Sequence, residues 1–461
     1  YSISCGAEVF RNIYREYNKR IRSANRIDFD DMLLLCYELL SERPDILRLW
    51  QDKYKYILID EFQDINILQY DIIRMLAKPM NNLFVVGDDD QSIYRFRGAK
   101  PEIMLNFPKD YPGCQQILLS TNYRSGINII KATSNLISHN KNRFQKKSEV
   151  YKSSGGQVIS KSFATMAQQN QKLVETILEL CKSGVPLQEM AILVRTNIGS
   201  GAIIHKLMEY NIAFCLDGNL PNIYDHWICQ DVISYMEIAM GDTGRGLYLR
   251  IINRPKRYIS RECFDSPEVD FESLKVYYED KEWMLERIDQ LEYDLAMIST
   301  MKPFAAIQYI RRGIGYDEFL KEYAELRKMN AEELYDVLDE IQESSRGFNT
   351  FAEWFTHIEE YKEEVKKQAQ INRYNSSQGV HIMTMHSSKG LEFNTVFLVD
   401  ANEGITPHKK AVLPDDIEEE RRLFYVAMTR AKEQLYIFNP KERYNKEMMP
   451  SRFIDEISIK L

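Results

Sequence analysis

Short apolar runs recur along this chain, and each stops at a polar cluster. Tyr56-Ile57-Leu58-Ile59 ends in Asp60-Glu61-Phe62-Gln63-Asp64, and Leu83-Phe84-Val85-Val86 ends in Gly87-Asp88-Asp89-Asp90-Gln91. Ile117-Leu118-Leu119 is closed by Ser120-Thr121-Asn122-Tyr123-Arg124-Ser125. Further runs stand at 158–163, 191–194, 380–385, 395–399 and 435–438. Runs this short and apolar suit strands covered on both faces. Helical patterns at 67–77, 127–139, 168–182 and 202–210 separate several of them. That alternation predicts an α/β fold with a parallel, doubly wound sheet. Ligands of such sheets bind beyond the carboxyl ends of the strands, where the polar clusters lie.

The rhythm changes between 225 and 375. Strand candidates are few there, and Tyr-, Glu- and Lys-rich helical patterns such as 277–296 and 331–344 dominate. This stretch reads as an all-helical insertion, with Asn375-Ser376-Ser377-Gln378-Gly379 as the linker out of it. Near the start, helices are expected at 7–25 and 32–40, the second with Asp28-Phe29-Asp30-Asp31 at its positive end. A late helix is expected over 418–432. Tyr111-Pro112-Gly113 marks a boundary. The expected division is 1–112, then 113–224 with 376–461, and 225–375 as the insertion. Three domains fit 461 residues.

A net charge of −8 excludes coating of nucleic acid by bulk charge, so any such site is a local groove. Seven scattered cysteines show no C-x-x-C pair and no zinc spacing; they read as thiols of a reducing, cytoplasmic compartment. No apolar run has transmembrane length and no signal peptide is visible, so no membrane partner is expected. Residue 1 is Tyr, which reads as a fragment, a processed product or an incomplete read.

The polar clusters gain meaning together. In an acidic pair past a strand, one carboxylate can hold Mg²⁺ through water while its neighbour orients or deprotonates an attacking water. Taken singly, the pair reads equally as a helix N-terminus, and Arg430 as a surface ion pair. Lys141, Arg143, Lys146 and Lys147 read as a solvated basic face. As a set, an acidic pair, an amide and arginines at several strand ends are what phosphoryl transfer needs. Aromatics interleaved with arginines in Tyr94-Arg95-Phe96-Arg97 offer a platform for bases and a grip on phosphates.

Five segments, in order, resemble the motifs of the UvrD/Rep/PcrA-type superfamily-one DNA helicases. They are Asp60-Glu61-Phe62-Gln63-Asp64; Val86 to Ala99; Asn122-Tyr123-Arg124-Ser125; Thr384 to Phe393, which holds His386-Ser387-Ser388-Lys389-Gly390; and Glu419 to Lys432. The resemblance covers nearly the whole chain and is weakest in the helical insertion. It implies two RecA-like motor domains, ATP and Mg²⁺ as cofactors, and single-stranded DNA and single-strand/duplex junctions as partners, with room for a protein loading partner. It implies Asp60 as the Mg²⁺ residue, Glu61 on the attacking water, and Gln91, Arg124 and Arg430 at the γ-phosphate. Tyr123 would stack near the adenine and Glu392 would contact the ribose. Tyr94, Phe96, Arg97 and His386 would face DNA. The pathway stays open among repair, replication restart and plasmid or phage biology.

The chain departs from the family at three places. No G-x-x-x-x-G-K-[ST] phosphate loop is present, and only 59 residues precede Asp60, so the first motor domain is expected to be incomplete. Phe96 stands where the family often has Trp. Tyr258 and Ser260 replace the glycines of a Gly-Ile-Gly turn, which removes the close backbone approach to phosphates that glycine allows. The resulting expectation is the carboxy-terminal portion of an ATP-dependent 3′-to-5′ DNA helicase, inactive in ATP hydrolysis by itself. The alternative is a non-catalytic nucleic-acid-binding or partner-binding remnant; RNA as substrate is a lesser one. A fused nuclease is not expected.

Overall fold

The computed structural model describes residues 5–147, 149–152, 155–196, 199–216, 222–374 and 378–457. Two compact units emerge, one of residues 12–196, 212–218 and 378–461 and the other of 1–11, 197–211 and 219–377.

The first unit carries the strands. β1 (Ile57–Ile59) and β2 (Leu83–Val85) pair in parallel, with Ile57 opposite Leu83 and Ile59 opposite Val85. Among the described residues they pair only with each other, and Leu58 and Phe84 stay exposed. Helix Ile67–Ala77 lies where the pattern predicts it. Asn66 and Gln69 exchange side-chain-to-backbone hydrogen bonds at its start, which fixes the boundary. Phe62, Tyr70 and Ile103 form a small core with Ile59, Val85 and Phe107.

A six-stranded sheet holds the rest of this unit. Its strands are β5 (Gln157–Phe163), β6 (Met190–Val194), β7 (Phe214–Leu216), β8 (Val380–Thr384), β9 (Phe393–Leu398) and β10 (Ala431–Pro440). Their order is β5-β10-β9-β6-β8-β7 and every pairing is parallel. Parallel neighbours require crossovers; helix Pro414–Met428 supplies the one from β9 to β10. All five β6 residues are buried, the reason this run shows no alternation. A separate pair, β3 (Thr121–Asn122) with β4 (Glu149–Val150), is also parallel.

Several expectations shift. Residues 117–119 form no strand: Ile117, Leu118 and Leu119 are exposed, and pairing begins only at Thr121, where β4 offers an edge. The late helix stops at Met428 instead of running to 432, because Ala431 pairs with Phe393 and the sheet takes over. Helix Pro44–Lys53, started by Pro44, and strand β7 were not anticipated. Three residues of β7 are too few to show a period, yet all are buried against β8.

The second unit contains helices from Trp227–Ala239 to Phe351–Tyr374, and among the described residues between 222 and 374 the only β contact is an isolated bridge from Gly244 to Glu268. Trp354 is fully buried in it. Asp231, also buried, accepts from Arg254 at 2.7 Å and from Tyr316 Oη at 2.7 Å, so its charge is compensated. The helix expected at 277–296 forms as Glu282–Ser299, while Tyr277 ends a separate helix, Phe271–Tyr277. Of the expected linker, 375–377 lie outside the described residues.

Candidate functional site

Asp60 and Glu61 follow β1. Asp60 is exposed, and its Oδ1 accepts from Glu61 N at 2.8 Å. Glu61 sits at φ +52°, a left-handed conformation that a long side chain adopts at a cost. From there its carboxylate accepts from Gln63 Nε2 at 2.5 Å and lies 3.3 Å from Lys389 Nζ. Lys389 also pairs with Asp64 and donates to Gln91 O at 2.9 Å. Burial still pushes the Asp64 carboxyl up, and its Oδ1 is buried with no hydrogen-bond partner.

The loop after β2 carries Gln91. Asp88 N donates to Gln63 Oε1 at 3.0 Å, and Gln91 Nε2 donates to Asp88 Oδ2 at 2.8 Å. Gly87 permits this approach: a Cβ there would lie 2.5 Å from Gln63 Oε1. Gln91 Oε1 stands 3.5 Å from Arg430 Nη2.

Arg430 lies between helix Pro414–Met428 and β10 and is only 2% exposed. Its guanidinium donates to Val426 O, Leu391 O and Thr429 Oγ1, at 2.9, 3.1 and 3.0 Å. None of these acceptors is a carboxylate. Burial, with Arg124 nearby, pushes its pKa down to about 10, so it stays cationic at neutral pH. Arg124 Nε donates to Glu392 Oε2 at 2.7 Å, and Lys432 is 3.2 Å from the same carboxylate. These donors hold the Glu392 carboxyl below its usual value. Tyr123 is 65% exposed and packs on Tyr151, ring centroids 4.8 Å apart.

The aromatic and basic set gathers beside this cluster. Phe96 is 66% exposed, edge-on to His386 at 5.5 Å and tilted against Tyr94 at 6.0 Å. The Arg97 guanidinium lies over both rings, 5.3 Å from Tyr94 and 5.5 Å from Phe96. Lys389 reaches to 5.3 Å over Tyr94, so one ammonium touches both sets. Burial and Arg195 push His386 down to about 4.

The structure therefore brings Glu61, Gln91, Arg124, Arg430 and Glu392 into one cluster, and Tyr94, Phe96, Arg97 and His386 into another. Asp60 and Tyr123 stand at the rim of the first. Sequence reading missed Tyr151, a lone aromatic in a polar stretch. It also assigned Arg143 and Lys146 to a solvated face, whereas both side chains are largely buried on the aspartates of the Gln91 loop.

The donor set fits a magnesium nucleotide in part. Exposed carboxylates suit a hard cation, and a buried guanidinium without a carboxylate partner suits an anion. A backbone cradle for β- and γ-phosphates has no G-x-x-x-x-G-K-[ST] run to supply it in these 461 residues. Among the described residues, no helix is long and apolar enough to cross a membrane.

Comparison with known proteins places these observations. The UvrD/REP helicase N-terminal domain matches residues 4–112, and the UvrD-like helicase C-terminal domain matches 117–442. YjcD of Bacillus subtilis, whose designation as an ATP-dependent DNA helicase is itself provisional, is 34% identical over 97% of this chain. The ATP-dependent DNA helicase PcrA of Staphylococcus epidermidis is 32% identical over 98%, and the ATP-dependent DNA helicase Rep of Buchnera aphidicola 31% over 97%. The chain spans 59%, 64% and 72% of the lengths of these three relatives.

Proposed function

The chain belongs to the UvrD/REP helicase family, and on that premise we propose that it serves an ATP-dependent DNA helicase that moves 3′ to 5′ along single-stranded DNA and unwinds duplex. Support for the direction is the family resemblance. One observation carries the hydrolytic part: buried Arg430, with no carboxylate on it, faces Gln91.

In this reading Asp60 holds Mg²⁺, which when bound neutralises phosphate charge. Glu61 orients the attacking water. Gln91, Arg124 and Arg430 meet the γ-phosphate. Tyr123, backed by Tyr151, takes the adenine, and Glu392 the ribose. Tyr94, Phe96, Arg97 and His386 take single-stranded DNA by stacking and charge. Lys389, in contact with Tyr94, Asp64 and Gln91, links the two clusters. The division into a first motor domain (1–112), a second (113–224 with 376–461) and a helical accessory insertion (225–375) belongs to the same proposal. So does a cytoplasmic setting, which seven cysteines outside any disulfide favour.

The alternative reading is a nucleic-acid-binding or partner-binding remnant without turnover. Phosphate release by the natural protein, measured with single-stranded DNA and Mg²⁺, separates the two. DNA-stimulated hydrolysis abolished by Glu61→Gln supports the helicase. Tight DNA binding with no hydrolysis supports the remnant.

A further inference from the structure

Residues 140–146 follow helix Ile127–Ile137 and are bonded on two sides. Toward helix Pro414–Met428, Asn140 Nδ2 donates to Glu418 O at 3.0 Å, and Lys141 N donates to Glu418 Oε1 at 2.9 Å. Arg421 Nη1 donates to Asn140 Oδ1 at 2.6 Å and Arg422 Nη2 to Asn142 O at 3.2 Å. Toward the Gln91 loop, Arg143 grips Asp90 with two bonds of 2.8 and 2.6 Å, and Phe144 N donates to Asp89 Oδ2 at 2.9 Å. Lys146 Nζ lies 2.5, 2.5 and 2.9 Å from Asp88, Asp89 and Asp90.

Three adjacent aspartates, two of them buried, would repel one another if left alone. Their oxygens lie close enough together to ligate a cation, but the Lys146 ammonium already fills that position. Burial alone would lower the Lys146 pKa; the three carboxylates outweigh it and raise it. One oxygen of Asp88 faces Lys146 and the other accepts from Gln91. An ionised carboxylate only accepts hydrogen bonds, so Gln91 must offer it the amide nitrogen. That leaves Gln91 Oε1 directed at Arg430.

We propose that Lys146, assisted by Arg143, is a positioning residue for hydrolysis: it fixes Asp88, Asp88 fixes the Gln91 amide, and residues 140–146 tie that loop to the helix leading into Arg430. This rests on the hydrolytic reading given above. Losing Lys146 leaves buried carboxylates uncompensated, and the loop must shift to relieve them.

The test has two arms. In the natural protein, Lys146→Met is expected to lower the DNA-stimulated kcat roughly 10- to 100-fold, the effect of a displaced catalytic group, with KM for ATP little changed. Lys146→Arg is expected to restore most of it. Combined with Gln91→Ala, the Lys146→Met loss is expected to vanish into the Gln91→Ala loss, since both act through one amide. The second arm needs no turnover: amide exchange at 88–92 in the 461-residue chain is expected to quicken in Lys146→Met and not in Lys146→Arg. Unchanged exchange overturns the clamp. Multiplicative losses in an active protein overturn the positioning role alone. An unmutated natural protein with no hydrolysis overturns both this inference and the reading beneath it.

Discussion

Arg124 and Glu392 stand 268 positions apart in sequence and meet in a 2.7 Å hydrogen bond. Both are proposed to contact one nucleotide, yet in this structure each occupies the other. Arg430, beside them, pairs with no carboxylate among its hydrogen-bond partners. Of the two arginines, it is the one with charge to spare for a γ-phosphate.

In the natural protein, Arg430→Ala should therefore keep nucleotide binding and lose DNA-stimulated turnover by on the order of 10³, the worth of an arginine acting in the transition state. Steady-state hydrolysis alongside titration of a fluorescent nucleotide checks this. Turnover within a few-fold of the parent would make Arg430 a structural cation.

Phe96 offers an exposed ring beside His386 and under Arg97. Phe96→Ala is expected to weaken single-stranded DNA binding by about 1–3 kcal/mol, the usual value of one stacked side chain. Fluorescence titration at fixed salt measures it. Unchanged affinity with the fold intact would assign Phe96 to packing.

His386 predicts a pH effect on stability. Burial and Arg195 hold it down to about 4, with Glu420 opposing and Arg97 assisting. The unfolded side chain titrates near 6.5. Between these values the unfolded state binds more protons, so stability rises with pH across that range. The contribution is whole above about pH 6.5 and is lost progressively toward pH 4, in all on the order of 3 kcal/mol. Urea midpoints at pH 7.5 and 5 should converge in His386→Asn relative to the parent. An identical pH slope in the variant would place the loss elsewhere, for example at His408, which burial also lowers.

The 461 residues taken alone should not hydrolyse ATP. Asp60, Glu61, Gln91, Arg124 and Arg430 are proposed to supply metal, water and γ-phosphate contacts, but nothing among them aligns the triphosphate as a phosphate loop does. Lys389-Gly390 does not replace it, since the lysine is held by Asp64, Glu61 and Gln91 O. Phosphate release that depends on single-stranded DNA and disappears in Asp60→Ala would refute this.

Local patterns determined much on their own. Helices Ile67–Ala77 and Ala331–Ser344 begin and end where caps and periodicity put them. Buried parallel strands write themselves as unbroken apolar runs, so the α/β class and the polar clusters beyond the strands were legible. Only the tertiary structure decided which clusters meet. Lys389 reaches Asp64 across 325 positions, and Lys146 reaches Asp88 across 58. A charge that closes such a loop leaves the same sequence trace as one in solvent. That is why Arg143 and Lys146 read as surface, and why the strand order β5-β10-β9-β6-β8-β7 had to come from pairing itself. Residues 117–119 show the converse. Their side chains favour a strand, but a strand exists only where a second edge accepts its hydrogen bonds.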